Sequence, residues 1–209
     1  GQQFVEHLPA MLEFWNKEQE IRSREAKLEG DEQLPMVVLT IGNGKKELGK
    51  VVLELFENEA PNAVANFINI VENEDPEKNY NGVKFHRVLP NFMAQTGNLE
   101  ASGKKPLDYT IECECYQKNA RKHFRGSLSM ALKGRDTGDS QFFITHMPTY
   151  WLNEEVRPES VHTVFGRVVS GMDVIDRTKQ GDEITSAIVK FKRKHEYKPK
   201  TVPNKKPEP

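Results

Sequence analysis

The feature that most constrains this chain is a series of short β-type runs between Pro35 and His195, none long enough to form a stable sheet alone. "MVVLTIGNGKKELGKVVLELF" reads as two runs joined by a Gly-Asn-Gly turn, hence a hairpin. "VKFHRVL", "FMAQT", "YTIECE", "SLSMAL", "QFFITH", "TVFGRVV" and "AIVKFKRK" follow, separated by polar and Gly-rich stretches. Only "APNAVANFINIVEN", with Pro61 at its first turn, and "GMDVIDRTK" read as helices within this span. Short strands leave exposed edges unless the sheet closes on itself. The expected fold class is therefore mainly β, an eight-stranded antiparallel closed barrel capped by two helices.

Two flanking segments differ in character. Residues 1–34 read as a helical extension, packed as an appendage or forming the end of an upstream domain. A helix over 3–29 would carry Phe4, Leu8, Met11, Leu12 and Trp15 on one stripe, with Pro9 at its start or at a kink. Residues 35–195 form the barrel domain. Residues 196–209 form a basic Pro/Lys-rich tail, and few apolar residues follow Tyr197, so disorder is expected there.

Charge narrows the function classes. The formal net charge is −1, which gives no overall argument for a nucleic-acid partner. The charge is uneven: residues 1–33 hold four basic and eight acidic groups, residues 192–209 seven basic and two acidic. No apolar run reaches the roughly 18 residues that a membrane span needs. A monomer without nucleic-acid or membrane partners is expected. Because the first residue is Gly1 and a processed chain is expected, the compartment, cytoplasmic or periplasmic, is left unassigned.

Several stretches imitate catalytic motifs without the chemistry. "RDTGDS" holds the Asp-Thr-Gly of aspartic proteases, but those need two such aspartates sharing a proton. "GNGKK" lacks the spacing and the Ser or Thr of a phosphate loop. Cys113 and Cys115, two apart on a presumed strand, read as reduced structural thiols on one face. The six histidines lack metal-ligand spacing, so neither metal nor cofactor is expected.

What remains is a set of stretches with unusual composition for a plain core. "FHRVLPNFMAQ" places Arg87, which cannot lose its proton, among Phe92, Met93 and Gln95 with no acidic residue in the run. A buried guanidinium without a carboxylate is costly, so Arg87 must reach solvent or stand at the edge of a pocket awaiting a ligand's acceptor. "SMAL" adds Ala131 and Leu132, "SQFFITH" adds Gln141 and Phe143, "YWLN" adds Trp151 and Leu152, and "VHTVFGRV" adds His162.

In order, from about Pro35 to His195, these stretches resemble the cyclophilins, peptidyl-prolyl cis-trans isomerases, of a bacterial-like type. The resemblance implies an eight-stranded barrel with two capping helices, no cofactor, and X-Pro-containing polypeptides as partners, with cyclosporin-type inhibitors as further ligands. It makes Arg87 the catalytic arginine. Phe92, Met93, Phe143, Leu152 and His162 would line the proline pocket, and Gln95, Ala131, Leu132, Gln141 and Trp151 the peptide groove. Departures are "QTGN" at Gln95–Asn98, "LEASGKKPLD" in place of a Gly-rich loop, Leu132-Lys133, and the longer link "EEVRPESV" before His162.

Overall fold

The structure, a computed structural model, describes residues 2–203, with side chains from residue 6 onward. In chain order its elements are α1 (Gln2–Glu25), β1 (Met36–Gly42), β2 (Glu47–Leu55), α2 (Pro61–Val71), β3 (Val83–Lys84), β4 (Arg87–Leu89), β5 (Met93–Thr96), β6 (Tyr109–Thr110), β7 (Ser127–Met130), β8 (Phe142–Thr145), β9 (Val164–Ser170), α3 (Met172–Arg177), β10 (Glu183–Phe191) and β11 (Val202–Pro203). The hairpin β1–β2 turns as expected: Asn43 Oδ1 accepts the backbone N–H groups of Lys45 and Lys46 at 3.2 and 3.1 Å, an Asx turn that fixes the reversal.

Nine strands form one curled antiparallel sheet, in the order β3-β10-β1-β2-β9-β7-β8-β5-β4. This differs from eight strands in an unbroken ring. The run Val83–Leu89 is interrupted at Phe85–His86, so β3 pairs with β10 at one edge and β4 pairs with β5 at the other. Counted as one broken strand, that run brings the two edges together.

The sheet wraps a core that includes Leu39, Leu53, Phe142, Ile144 and Phe165, all fully buried. Phe67 of α2 reaches the centre, with ring centroids 5.2 Å from Phe142 and 5.4 Å from Phe165. Pro61 sits at the first turn of α2, where its missing N–H leaves no bond unmade. Glu114 then caps that turn, accepting from Asn62 N and Ala63 N at 3.0 and 2.9 Å. On the other helix, α3, Val174 and Ile175 join the same core.

Helix α1 lies outside the sheet, and its buried face is not the expected stripe. Leu8 and Leu12 are exposed, at 38% and 54%, while Glu18 and Glu25 are buried; Phe4 lies outside the described side chains. Two carboxylates seven residues apart share one helix face, and Arg121 inserts between them. Its Nε and Nη2 donate to the two oxygens of Glu18 at 2.9 and 2.8 Å, and Nη1 donates to Glu25 at 2.6 Å. The guanidinium also stacks 3.6 Å from the centre of the Phe56 ring. This ion cluster decides the rotation of α1 about its axis, and Pro9 is accommodated inside the helix rather than starting it.

Two further expectations are corrected. "YTIECE" is a strand only at Tyr109–Thr110, because side chains take the next backbone donors: Cys113 N donates to Asp136 Oδ1 at 2.8 Å and Glu114 N to Thr163 Oγ1 at 3.0 Å. The basic tail is ordered as far as Pro203. Tyr197 is 7% exposed and donates to Glu57 at 2.7 Å, and β11 pairs with β6. Residues 204–209 lie outside the described residues.

Candidate active site

Four neighbouring strands build the site. Arg87 on β4 stands opposite Gln95 on β5, Gln95 opposite Phe143 on β8, and Phe143 opposite Ser129 on β7. Strand side chains alternate between faces, so Phe142 and Ile144 fill the barrel while Phe143 points away from it. This explains why "FFIT" lacks alternating polarity. Its outward residue meets a second apolar cluster of Met93, Ala131, Phe143 and Leu152, with Phe92 and Trp151 packed against it.

This cluster floors a cavity of about 480 Å³. Arg87, Phe92, Met93, Gln95, Ala131, Leu132, Gln141, Phe143, Leu152 and His162 all line it, so ten of the eleven residues singled out in the sequence come together. Trp151 is outside the lining and braces Phe92 at 5.7 Å. A single 3-10 turn, Tyr150–Leu152, delivers both Trp151 and Leu152. Gly97 permits the close approach beneath: its φ is +81°, and a Cβ there would lie 2.3 Å from the Ser140 carbonyl oxygen.

The polar groups are sparsely tethered. Arg87 is exposed, and its Nη1 donates to Gln95 Oε1 at 3.4 Å. Gln95 Nε2 in turn donates to Gln141 Oε1 at 3.3 Å. Among the described residues no carboxylate pairs with Arg87. His162 Nδ1 lies 2.9 Å from the Met130 carbonyl oxygen, which can only accept, so the proton sits on Nδ1. Burial holds the pKa of His162 below the usual histidine range and leaves the ring neutral at pH 7. The ring meets Phe143 edge-on at 5.4 Å.

Sequence reasoning missed two parts. The far half of the cavity is lined by Leu99, Glu100, Pro106 and Leu107 from the loop "NLEASGKKPL"; the one available signal was Leu99, a lone leucine in a polar loop, here 1% exposed. Behind Phe143 lies His123, its ring parallel to the phenyl at 6.1 Å. Its nitrogens meet Asn153 Oδ1 at 2.8 Å and Ser129 Oγ at 2.9 Å, and burial pushes its pKa down to about 3. His123 is thus a neutral strut.

Residues 36–198 match the family described as cyclophilin type peptidyl-prolyl cis-trans isomerase/CLD. The chain belongs to that family. Curated relatives agree. The peptidyl-prolyl cis-trans isomerase of Helicobacter pylori strain 26695 is 43% identical over 146 residues, covering 69% of this chain and 83% of the relative. Peptidyl-prolyl cis-trans isomerase B of Bacillus subtilis is 43% identical over 133 residues, covering 64% and 85%. A crystal structure of a Cryptosporidium parvum cyclophilin type peptidyl-prolyl cis-trans isomerase shares the fold, with a TM-score of 0.60 at 23% identity, covering 76% of this chain and 98% of that one. The present chain is a peptidyl-prolyl cis-trans isomerase, and the cyclophilin-type barrel carries its α1 extension beyond the region that matches.

Proposed function

We propose that this isomerase turns X-Pro bonds in the cavity between Arg87 and His162, with Arg87 as the catalytic donor. The supporting observation is an arginine without a carboxylate, at the rim of an apolar pocket. Rotation about a prolyl bond breaks amide resonance and faces a barrier of ~18–20 kcal/mol. As the bond twists, charge separation falls and the nitrogen recovers its lone pair. Met93, Phe143 and Leu152 favour that less polar state and, with Phe92 and neutral His162, seat the proline ring. Arg87 donates to the recovered lone pair, a bond available only in the twisted form, so it lowers the barrier rather than tightening the ground state. Gln95, held opposite Arg87, aims the guanidinium. Ala131, Leu132 and Gln141 hold the peptide backbone, and Trp151 supports the pocket wall through Phe92.

The substrates are flexible or unfolded chains that can thread an open cavity. A cyclosporin-type macrocycle would use the same surface, and the protein acts as a monomer. A second reading, a module that only binds Pro-containing segments, has no observation in its favour over catalysis. Replacing Arg87 with Ala is expected to lower turnover about 100-fold, roughly 2.7 kcal/mol, while peptide affinity changes less than about threefold. Turnover is measured in a protease-coupled X-Pro assay and affinity by titration. Near-normal turnover would exclude Arg87 as the donor.

A further inference from the structure

Outside the cavity, the densest reactive chemistry is the segment Cys113–Cys115. The two thiols lie two residues apart in a segment that is neither helix nor strand. Cys113 Sγ accepts the backbone N–H of Asp136 at 3.1 Å, while Cys113 N donates to Asp136 Oδ1 at 2.8 Å. Asp136 has a φ of +61°, an uncommon conformation for a non-glycine residue; this reciprocal pair of bonds helps hold it. Both residues on the other side are equally tied. Cys115 Sγ donates to the Val161 carbonyl oxygen at 3.7 Å, and Glu114 N donates to Thr163 Oγ1.

These partners border the cavity. Asp136 belongs to the turn that supplies Lys133, Thr137 and Asp139 to its lining, and Val161 and Thr163 flank His162. Cys113 is half-buried and Cys115 buried. A half-buried thiol whose sulfur accepts a backbone N–H, two residues from a shielded thiol, is the arrangement in which a first thiolate reacts and a second resolves it. The neighbouring Cys115 thiol and the Asp136 N–H draw the Cys113 pKa down, which favours its thiolate.

We propose that Cys113 and Cys115 are a peroxide-reactive dithiol whose oxidation reshapes the substrate cavity. The Cys113 thiolate attacks the O–O bond of a hydroperoxide, forming the S–O bond of a sulfenic acid and releasing hydroxide or alkoxide. Cys115 sulfur then displaces the sulfenic oxygen, which leaves as water after taking up the Cys115 proton. Two thiols are oxidised to one disulfide and one peroxide is reduced. In an extended chain, residues two apart have Cα atoms about 6.6 Å apart, near the upper limit for a disulfide, so closing the bond draws the segment in. The Cys115 S–H donor is lost, the Cys113 sulfur can no longer hold the Asp136 N–H as a thiolate, and both walls beside His162 and Thr137 shift.

The consequence for turnover rests on the cavity assignment made above; the thiol chemistry does not, and two readouts separate them. The full chain is treated with hydrogen peroxide at one to ten equivalents, then with dithiothreitol. Intact mass is expected to fall by about 2 Da, with the bond mapped to Cys113–Cys115, and X-Pro turnover to drop at least threefold and recover on reduction. Cys115→Ser is expected to stop at Cys113, gaining about 16 Da, whereas Cys113→Ser stays unmodified and keeps full turnover. An unmodified wild type, or overoxidation of Cys113 without a disulfide, overturns the dithiol. A disulfide form with unchanged turnover overturns the coupling to the cavity. Should Arg87→Ala leave turnover intact, the cavity assignment fails while the mass readout still decides the thiol chemistry.

Discussion

The two arginines Arg87 and Arg121 make the molecule's clearest contrast. Arg121, with a side chain 1% exposed, is saturated: Glu18 and Glu25 bond it, Glu59 stands at 3.6 Å, and Phe56 stacks on it. Arg87 is exposed and touches one amide oxygen at 3.4 Å. Burial raises the carboxyl pKa values of Glu25 and Glu59, while for Glu18 burial acts the same way but is outweighed by its bonds to Arg121 and Arg22. A cation committed to internal partners builds a seam; one left with unused donors at an apolar rim has them free for a ligand. The same residue type thus serves docking in one region and, on the proposed function, chemistry in the other, and burial with local carboxylates tells them apart.

The largest effect expected is on the seam. Arg121→Ala leaves Glu25 buried and unpaired and Glu18 with Arg22 alone, so stability should fall by about 3–5 kcal/mol. Denaturant unfolding measures this, and turnover of the folded fraction should stay within about twofold. A large turnover loss in protein that is fully folded would mean the two regions are not separate. A smaller effect is expected of Gln95→Leu, which removes the one side-chain hydrogen bond of Arg87 among the described residues but leaves its charge. Turnover should fall about three- to tenfold, less than for Arg87→Ala, and an equal loss would make Gln95 more than an aiming residue.

The smallest effect is a slope, and it lies where the regions meet, since His123 is two residues from Arg121 yet supports Phe143. Its folded pKa, about 3, is below the unfolded value of ~6.5. Between these values the unfolded chain holds a proton that the folded chain refuses, so stability present at neutral pH is lost as pH falls from about 6.5 towards 3. The slope is about 1.4 kcal/mol per pH unit, and His162, whose pKa burial also lowers, acts in the same direction. In His123→Gln, unfolding measured between pH 4 and 6 should be flatter by one proton. An unchanged slope would show that His123 takes up a proton in the fold.

How much could be read beforehand follows the range of the interactions. The hairpin, α2 with Pro61 at its first turn, and the run of short strands rest on neighbours in sequence, so pattern alone reveals them. Ten cavity residues were legible because they occur in long stretches shared with a family. The seam was not. Glu18 and Arg121 are 103 residues apart, and nothing near either announces the other, so the apolar stripe through Leu8 and Leu12 looked like the packing face. In sequence Tyr197 reads as the start of a solvated tail because its partner Glu57 lies 140 residues away. His123 passed as one more histidine for the same reason: Ser129 is near, but Asn153 and Phe143 reach it only through the fold.

The interruption of the strand Val83–Leu89 carries a mechanical consequence. Both margins of the sheet end on this one short piece, three residues pairing on one side and two on the other. It is the most compliant joint in the wrap, since fewer rungs hold it than hold any long strand. Arg87 is the first residue after the joint. Opening of the barrel along this line and displacement of the guanidinium are therefore a single motion. Amide exchange at Val83–Leu89 gives a direct gauge of how firmly the Arg87 guanidinium is held.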